Sequence, residues 1–316
     1  MNTQSTLPLE TGRGFVDVWE CDENAHYNVQ FYMARKSEAD AHLRLALGLP
    51  STNRPGDPYW VHIDENHVRY HGELRAVDSL VLHSGIAEID ETHFTIIHEM
   101  HNAVTGALSA TFVTRWTCLT HDYKGVQSNT WPVSVINAAE KLRIPIPSHA
   151  KKYSTGVHGP VPDITLVQAK KEGMALTHRC LVLPSMTDAS GCLTEQHITS
   201  ISSDSAAQLW QALDYDWADL IRQGKGTVVL EALTQYRLPL HAGDATLTLS
   251  HTIATTAKAL SFGHLLFNAE TSSLCAAIEI TAVVFDLKQR KVIPLELKDS
   301  TRFAALKPSY IQSHAS

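Results

Sequence analysis

The 316 residues predict an α+β chain that uses one layout twice: a short strand, a long helix, then four antiparallel strands. Two observations carry this prediction. The first is a weak internal repeat at a constant offset, the signature to look for before any other. Asp22 and Asp188, Tyr70 and Tyr236, Asp78 and Asp244, Ser84 and Ser250, and His98 and His264 each lie 166 residues apart. Context repeats with the letters, since YHGELRAVDSLVLHS (70–84) lies over YRLPLHAGDATLTLS (236–250). The second is periodicity: within each copy one segment repeats apolar residues every three or four positions and four segments alternate.

In the first copy, GRGFVDVWE (12–20) reads as the opening strand. A helix is expected from about Asn28 to Leu47, because Phe31, Ala34, Glu38, His42 and Leu45 recur at helical spacing and Gly48 and Pro50 supply a stop. Strands are expected at 60–72, 77–89, 92–102 and 107–119, separated by the turn-like ELRAVD, DET and NAVTG. The second copy repeats the order, with a strand at 176–184 and a helix near 195–213 whose Ile198, Ile201, Ser205, Leu209 and Trp210 share a face. Its strands fall at 227–240, 245–256, 258–270 and 274–286. An antiparallel sheet with one apolar face must cover it, and the long helix is the element able to do so. The expected domains are 10–120 and 173–295. Between them runs a surface linker over 121–172 that contains a short helix near 133–142 and the turn-rich TGVHGPVPD.

Composition narrows the function classes. A net charge of −7 without a dense basic run disfavours nucleic acid. Lys141, Arg143, Lys151 and Lys152 make the nearest approach to a basic patch, and read as a solvated stretch. No apolar run approaches the ~20 residues of a membrane span, and MNTQSTLPLE lacks the features of a secretory signal. Five scattered cysteines without a C-x-x-C pair suit a reducing compartment, so a cytoplasmic location is expected. The eighteen histidines include none in H-E-x-x-H or tight H-x-H spacing, and no metal is expected.

The candidate chemistry lies where the first strand meets the helix, at Asp22-Glu23-Asn24-Ala25-His26-Tyr27-Asn28-Val29-Gln30-Phe31-Tyr32. Asp is among the best helix N-caps, so an acidic residue here has a purely structural reading as well. The segment resembles the D-x-x-G-H-V-N-N-x-x-Y motif of the 4-hydroxybenzoyl-CoA thioesterase-like family, with Ala25 for the Gly and Val29 for the second Asn. The order of elements resembles that family's hotdog fold, and two copies imply a tandem, or double, hotdog acting as an intramolecular pseudo-dimer. Further homo-oligomerisation stays open.

The resemblance implies hydrolysis of an acyl-CoA thioester to free acid and coenzyme A, without metal or redox cofactor; coenzyme A enters only as part of the substrate. Asp22 is then the nucleophile or general base, and His26 and Asn28 orient it or bind substrate. Unpaired amides of the first helical turn, Ala25 through Asn28, polarise the carbonyl. Tyr27, Phe31, Tyr32, Trp60 and Tyr70 are candidates for an acyl pocket, with core packing as the alternative for each. At the second helix entrance Asp188 and Gly191 persist, but Cys192 replaces the His and Thr194 the Asn, so a degenerate second site is expected. The acyl chain, and the choice between coenzyme A and a carrier protein as leaving group, stay open. Two other readings remain. One is a hotdog acyl-CoA hydratase or dehydratase. The other is a non-catalytic acyl-CoA or acyl-carrier binding module, which Ala25 and the weaker second copy would suit.

Overall fold

Asn28 starts the first long helix by accepting the Gln30 amide on its side-chain oxygen at 3.1 Å. That helix, α1 (Val29–Ala46), ends where Gly48 turns left-handed at φ 79°. In the computed structural model, which describes residues 5–122, 125–156, 161–295 and 300–312, the chain divides into two compact units. One comprises residues up to 151 together with 188–196, and the other 152–187 with the chain from 197 onward.

In the first unit the strands are β1 (Leu9–Phe15), β2 (Trp60–Tyr70), β3 (Ser79–Ile89), β4 (His93–Asn102), β5 (Leu108–Asp122) and β6 (Gly125–Ser128). They pair antiparallel in the order β1-β3-β4-β5-β2, with β6 folding back on β5. The opening strand is shorter than the sequence suggests. Asp17 and Glu20 form a reciprocal capping box that bends Val18–Glu20 into a 3-10 turn. Helix α1 lies on the face that carries His98, since the Asp40 side chain meets that imidazole at 2.9 Å. Helix α2 (Val133–Glu140) follows, and Trp131, Val135 and Ala139 pack with Leu43, Phe94 and Trp116 in one buried cluster. Beyond it the chain crosses the opposite sheet face: His149 bonds to Glu99 at 2.7 Å, and Ile144 sits so close to Gly85 that a Cβ there would meet it at 2.6 Å.

The second unit begins with α3 (Leu166–Lys171) and β7 (Ala175–Leu181), followed by α4 (Glu195–Ala212), whose first two residues belong to the first unit, and then by α5 (Trp217–Arg222) and β8 (Lys225–Tyr236). It continues through β9 (Ala245–Thr255), β10 (Ala259–Asn268), β11 (Leu274–Asp286) and β12 (Lys291–Ile293), and closes with α6 (Ser300–Ala305) and α7 (Ser309–Gln312). The order β7-β9-β10-β11-β8 repeats that of the first unit, with β12 added to β11. The repeat extends to register. Leu9 pairs with Ser84 and Ala175 with Ser250, and the first strand of each copy bulges at the same place, after Glu10 and after Leu176. The α+β repeat is therefore present in both copies, and the chain has the tandem hotdog layout that the resemblance implies. The stretch 121–172 also feeds the cores: Ile164, Leu166 and Ala169 are buried beside Leu265 and Phe267. Of TGVHGPVPD, residues 157–160 lie outside the described chain.

Candidate active site

Between the 3-10 turn and α1 the chain makes a tight loop. Asp22 N–H donates to the His26 carbonyl at 2.8 Å, the Ala25 amide returns to the Asp22 carbonyl at 3.0 Å, and Cys21 bridges Tyr27. One carboxylate oxygen of Asp22, Oδ1, accepts the amides of Asn24 (2.9 Å) and His26 (3.1 Å). Among the described residues Oδ2 has no hydrogen-bond partner. The loop requires a left-handed residue, and Ala25 takes that conformation at φ 57° where the second copy has Gly191 at φ 83°. Asp22 is half-buried, and burial pushes its carboxyl above the ordinary value, against the opposing pull of the His26 amide. A carboxylate that is both desolvated and only half satisfied has the reactivity a base or nucleophile needs.

The first-turn amides behave differently from the expectation. Ala25 N–H goes to Asp22 O, His26 N–H to Asp22 Oδ1, Tyr27 N–H to Leu74 O at 2.8 Å, and Asn28 N–H to Glu20 O at 2.9 Å. All four are occupied because the loop closes on itself and the helix begins only at Val29. The Val29 amide, the first of α1, has no acceptor among the described residues. It lies at the positive end of an 18-residue helix.

The other candidates divide into those gathered here and those placed elsewhere. His26 is buried, with Nε2 3.5 Å from the Glu73 carboxylate, which also pairs with Arg75 at 3.0 Å. Asn28 spends its side-chain oxygen on the helix cap. Ala25 is exposed on the loop. Tyr27 and Tyr32 are buried with ring centroids 4.7 Å apart, and Tyr32 meets Tyr70 edge-on at 5.2 Å. Burial pushes the Tyr32 phenol up to about 12, so it stays protonated while sharing a hydrogen bond with Ser109 at 3.1 Å. Trp60 does not join this group within the unit: it opens β2, ten residues before Tyr70, roughly 33 Å along an extended strand. Two further neighbours are not legible in the sequence. Asn24 is buried with its side-chain oxygen unbonded among the described residues, and its only sequence signal is the polar alternation Asp22, Asn24, His26. Glu73 arrives from the β2–β3 turn, and no local spacing reveals it.

The second helix entrance copies the loop atom for atom. Asp188 Oδ1 accepts the amides of Ser190 (2.8 Å) and Cys192 (3.1 Å), and also the Ser190 hydroxyl at 2.6 Å. Its environment is different. Glu195, at the position equivalent to Val29, carries a carboxylate held at 2.8 Å by the fully buried Lys36 ammonium. Lys36 also grips Asp40 at 2.8 Å, and the chain runs on through His98 and Ser84 (2.6 Å) to Thr11. The first turn of α4 is thus committed to an internal ion pair. Burial raises the Cys192 thiol above its ordinary value, which opposes nucleophilic use.

The sequence model of the family described as the Thioesterase-like superfamily matches residues 16–150 and 182–303. No curated protein matches the chain significantly. Among solved structures the chain is similar in fold to a provisionally assigned oleoyl thioesterase from Lactobacillus plantarum, at 10% identity and a TM-score of 0.66 over 88% of this chain and 97% of that one. It is similarly close to the 12:0-ACP thioesterase from Umbellularia californica, at 10% identity and 0.62 over 86% and 92%. An acyl-ACP thioesterase from Bacteroides thetaiotaomicron aligns at 7% identity and 0.60 over 86% and 96%. Identities this low establish a shared fold and nothing finer.

Proposed function

The chain belongs to the Thioesterase-like superfamily and is a thioester hydrolase, and from that premise we propose that it cleaves an acyl-CoA at the first helix entrance, with Asp22 as the working carboxylate. The single observation that carries this is the half-satisfied, desolvated Asp22, with Oδ2 unbonded among the described residues at the threshold of α1. As general base, Oδ2 takes a proton from a water whose oxygen adds to the thioester carbonyl carbon; as nucleophile, it adds there itself. The carbonyl oxygen becomes negative, and the Val29 amide at the helix N-terminus is the donor we assign to it, in place of the four occupied amides. By the base route, collapse breaks the C–S bond and the departing thiolate recovers the proton held by Asp22; by the nucleophilic route, the thiolate leaves an acyl–Asp22 anhydride, and the water that hydrolyses it restores the carboxylate and supplies the thiol proton. The His26 imidazole is buried and pairs with Glu73 at 3.5 Å, which fixes the loop segment whose amides hold the carboxylate.

Two amides on Oδ1 restrict how far Asp22 can turn, which keeps Oδ2 as the reactive oxygen. Tyr27, Tyr32 and Tyr70 back the loop with a buried aromatic wall, which supports an acyl chain with apolar or aromatic character. At the second entrance the Lys36–Glu195 pair already satisfies the charge that a substrate carbonyl would meet, and supports one competent site per chain. Five cysteines that form no disulfide among the described residues support a cytoplasmic setting.

The test is a thiol-release screen over short, long, aromatic and cationic acyl-CoAs, with the same acyl groups on a carrier protein as a second arm. Thiol release from the CoA esters, saturating at one equivalent of a non-hydrolysable analogue per chain, is the expected result. Release confined to carrier-protein esters would overturn the substrate, and two equivalents bound would overturn the single site.

A further inference from the structure

Away from both helix entrances, the second unit carries a group of reactive side chains for which the proposed hydrolysis has no use. His178 and Cys180 are separated by one residue on β7, the edge strand, and so project to the same face. Across from them, Asp204 on α4 brings its carboxylate to 3.6 Å from His178 Nε2. From β9, the strand paired with β7, the Thr246 hydroxyl lies 3.1 Å from the Cys180 sulfur. His178 Nδ1 is buried with no hydrogen-bond partner among the described residues, two positions from the thiol on the same strand face, and both side chains are only partly buried.

The repeat shows that the fold does not need these residues. In the first copy the same two strand positions are Gly12 and Gly14, facing Leu82 and Leu80 in the same register that sets His178 against Thr248 and Cys180 against Thr246. The position equivalent to Asp204 is Glu38, which pairs with Arg35 instead. An edge strand of identical pairing is thus built once with glycines and once with a thiol, an imidazole and a facing carboxylate.

We propose that Cys180 is a modification site of this protein, a reactive thiol activated by His178, Asp204 and Thr246 and open to oxidation by hydroperoxides. The sulfur attacks one peroxide oxygen as the thiolate. An S–O bond forms, the O–O bond breaks, and the departing hydroxide takes a proton from the His178 imidazolium. Cysteine is oxidised to sulfenic acid, the peroxide is reduced to water, and His178 is left neutral. Electrostatics agree with the geometry. The nearby Asp204 carboxylate pushes the His178 imidazole up to about 9. Burial alone would raise the Cys180 thiol, yet His178 and Thr246 bring it below its ordinary value. The other four cysteines, Cys21, Cys118, Cys192 and Cys275, are all raised by burial. The ionisable groups that bear on the thiol are His178 on its own strand and Asp204 on α4; β9 contributes the uncharged Thr246.

The experiment treats the intact chain with hydrogen peroxide in the presence of dimedone, which traps sulfenic acids, and maps the labelled peptides by mass spectrometry over a pH series. Most label should fall on Cys180, with its rate already high at neutral pH. His178→Gln should slow Cys180 labelling at neutral pH roughly tenfold and move its pH midpoint upward, since a rise of one pKa unit cuts the thiolate fraction tenfold. Cys180→Ser should remove that label and leave thiol release from acyl-CoA unchanged. Labelling of Cys21 or Cys192 as fast as Cys180 would overturn the proposal, as would an unaltered Cys180 rate in His178→Gln. Where that variant fails to fold, the alkylation profile of the native protein with iodoacetamide decides. A Cys180 midpoint below the free-thiol value of about 8.5 supports the site, and one at or above it rejects it.

Discussion

The two oxygens of Asp22 are placed differently. Oδ1 is part of the loop, holding the amides of Asn24 and His26, and Oδ2 is the oxygen that the proposed hydrolysis uses. The shift of its carboxyl above the ordinary 3.8 carries two consequences with determinate signs. Hydrolysis that requires the ionised form should rise with pH through a midpoint above 3.8, measurable as kcat/KM against pH, and a limb centred below that value would contradict the role. The folded state also binds this proton more tightly than the unfolded chain, so ionised Asp22 lowers stability as pH rises through the window between the ordinary and the raised value. Lys36 stands at the other extreme, with no exposure and a carboxylate on each side, Asp40 and Glu195. Removing one member of such a group strands the others, so Lys36→Met should lower unfolding stability in urea by about 3–5 kcal/mol. An effect under about 1 kcal/mol would mean that water already solvates the pair.

At the scale of elements, the repeat explains what the sequence could disclose. The long helices and the strands of both meanders fall within a few residues of their expected limits, because their periodicity is long and their turns are marked. The opening strands were read too far, since Asp17–Glu20 alternates like a strand but caps itself into a 3-10 turn. Glu73 beside His26, and Lys36 between Asp40 and Glu195, were not legible, because each depends on pairing across tens of residues. The first-turn amides were misjudged for a local reason: a loop with a left-handed Ala25 turns its donors inward before the helix begins. Side-chain exchange between the copies was also invisible. Gly85 faces Ile97 across β3 and β4, while the equivalent pair in β9 and β10 is His251 facing Gly263, with the large and small residues swapped. A Cβ on Gly263 would strike the His251 ring, which is buried and bonded to Tyr310 at 2.7 Å. Gly263→Ala should therefore cost about 1–3 kcal/mol in thermal or urea unfolding, and a neutral substitution would show that the ring can move aside.

Across the whole molecule the two copies share a frame and differ in what they bury. Both carry a serine–histidine pair facing the long helix, Ser84 with His98 and Ser250 with His264, each at 2.6 Å. Asp40 completes the first, but the equivalent residue in the second is Ala206, and His264 Nε2 is buried with no partner among the described residues. Burial lowers His251 and His264 to about 3. These groups are neutral when folded and take up protons once unfolded, so their contribution is intact above about 6.5 and is lost as pH falls toward 3. Thermal stability should decline through that window, by about 1.4 kcal/mol per pH unit for each fully buried histidine. His264→Asn should remove one histidine's share of the slope, and a melting temperature constant from pH 6.5 to 4.5 would contradict the burial.

The claim that joins these scales is that a fold able to build two sites works through one, at Asp22. Asp22→Asn tests it most directly, because the amide keeps an oxygen for the Asn24 and His26 donors and removes only the charge. Thiol release from the best acyl-CoA of the screen, with circular dichroism as the control for folding, is the measurement. A folded protein whose turnover falls at least about a hundredfold is the expected result, as loss of a general base entails. Folded protein with undiminished thiol release would contradict it and move the chemistry elsewhere.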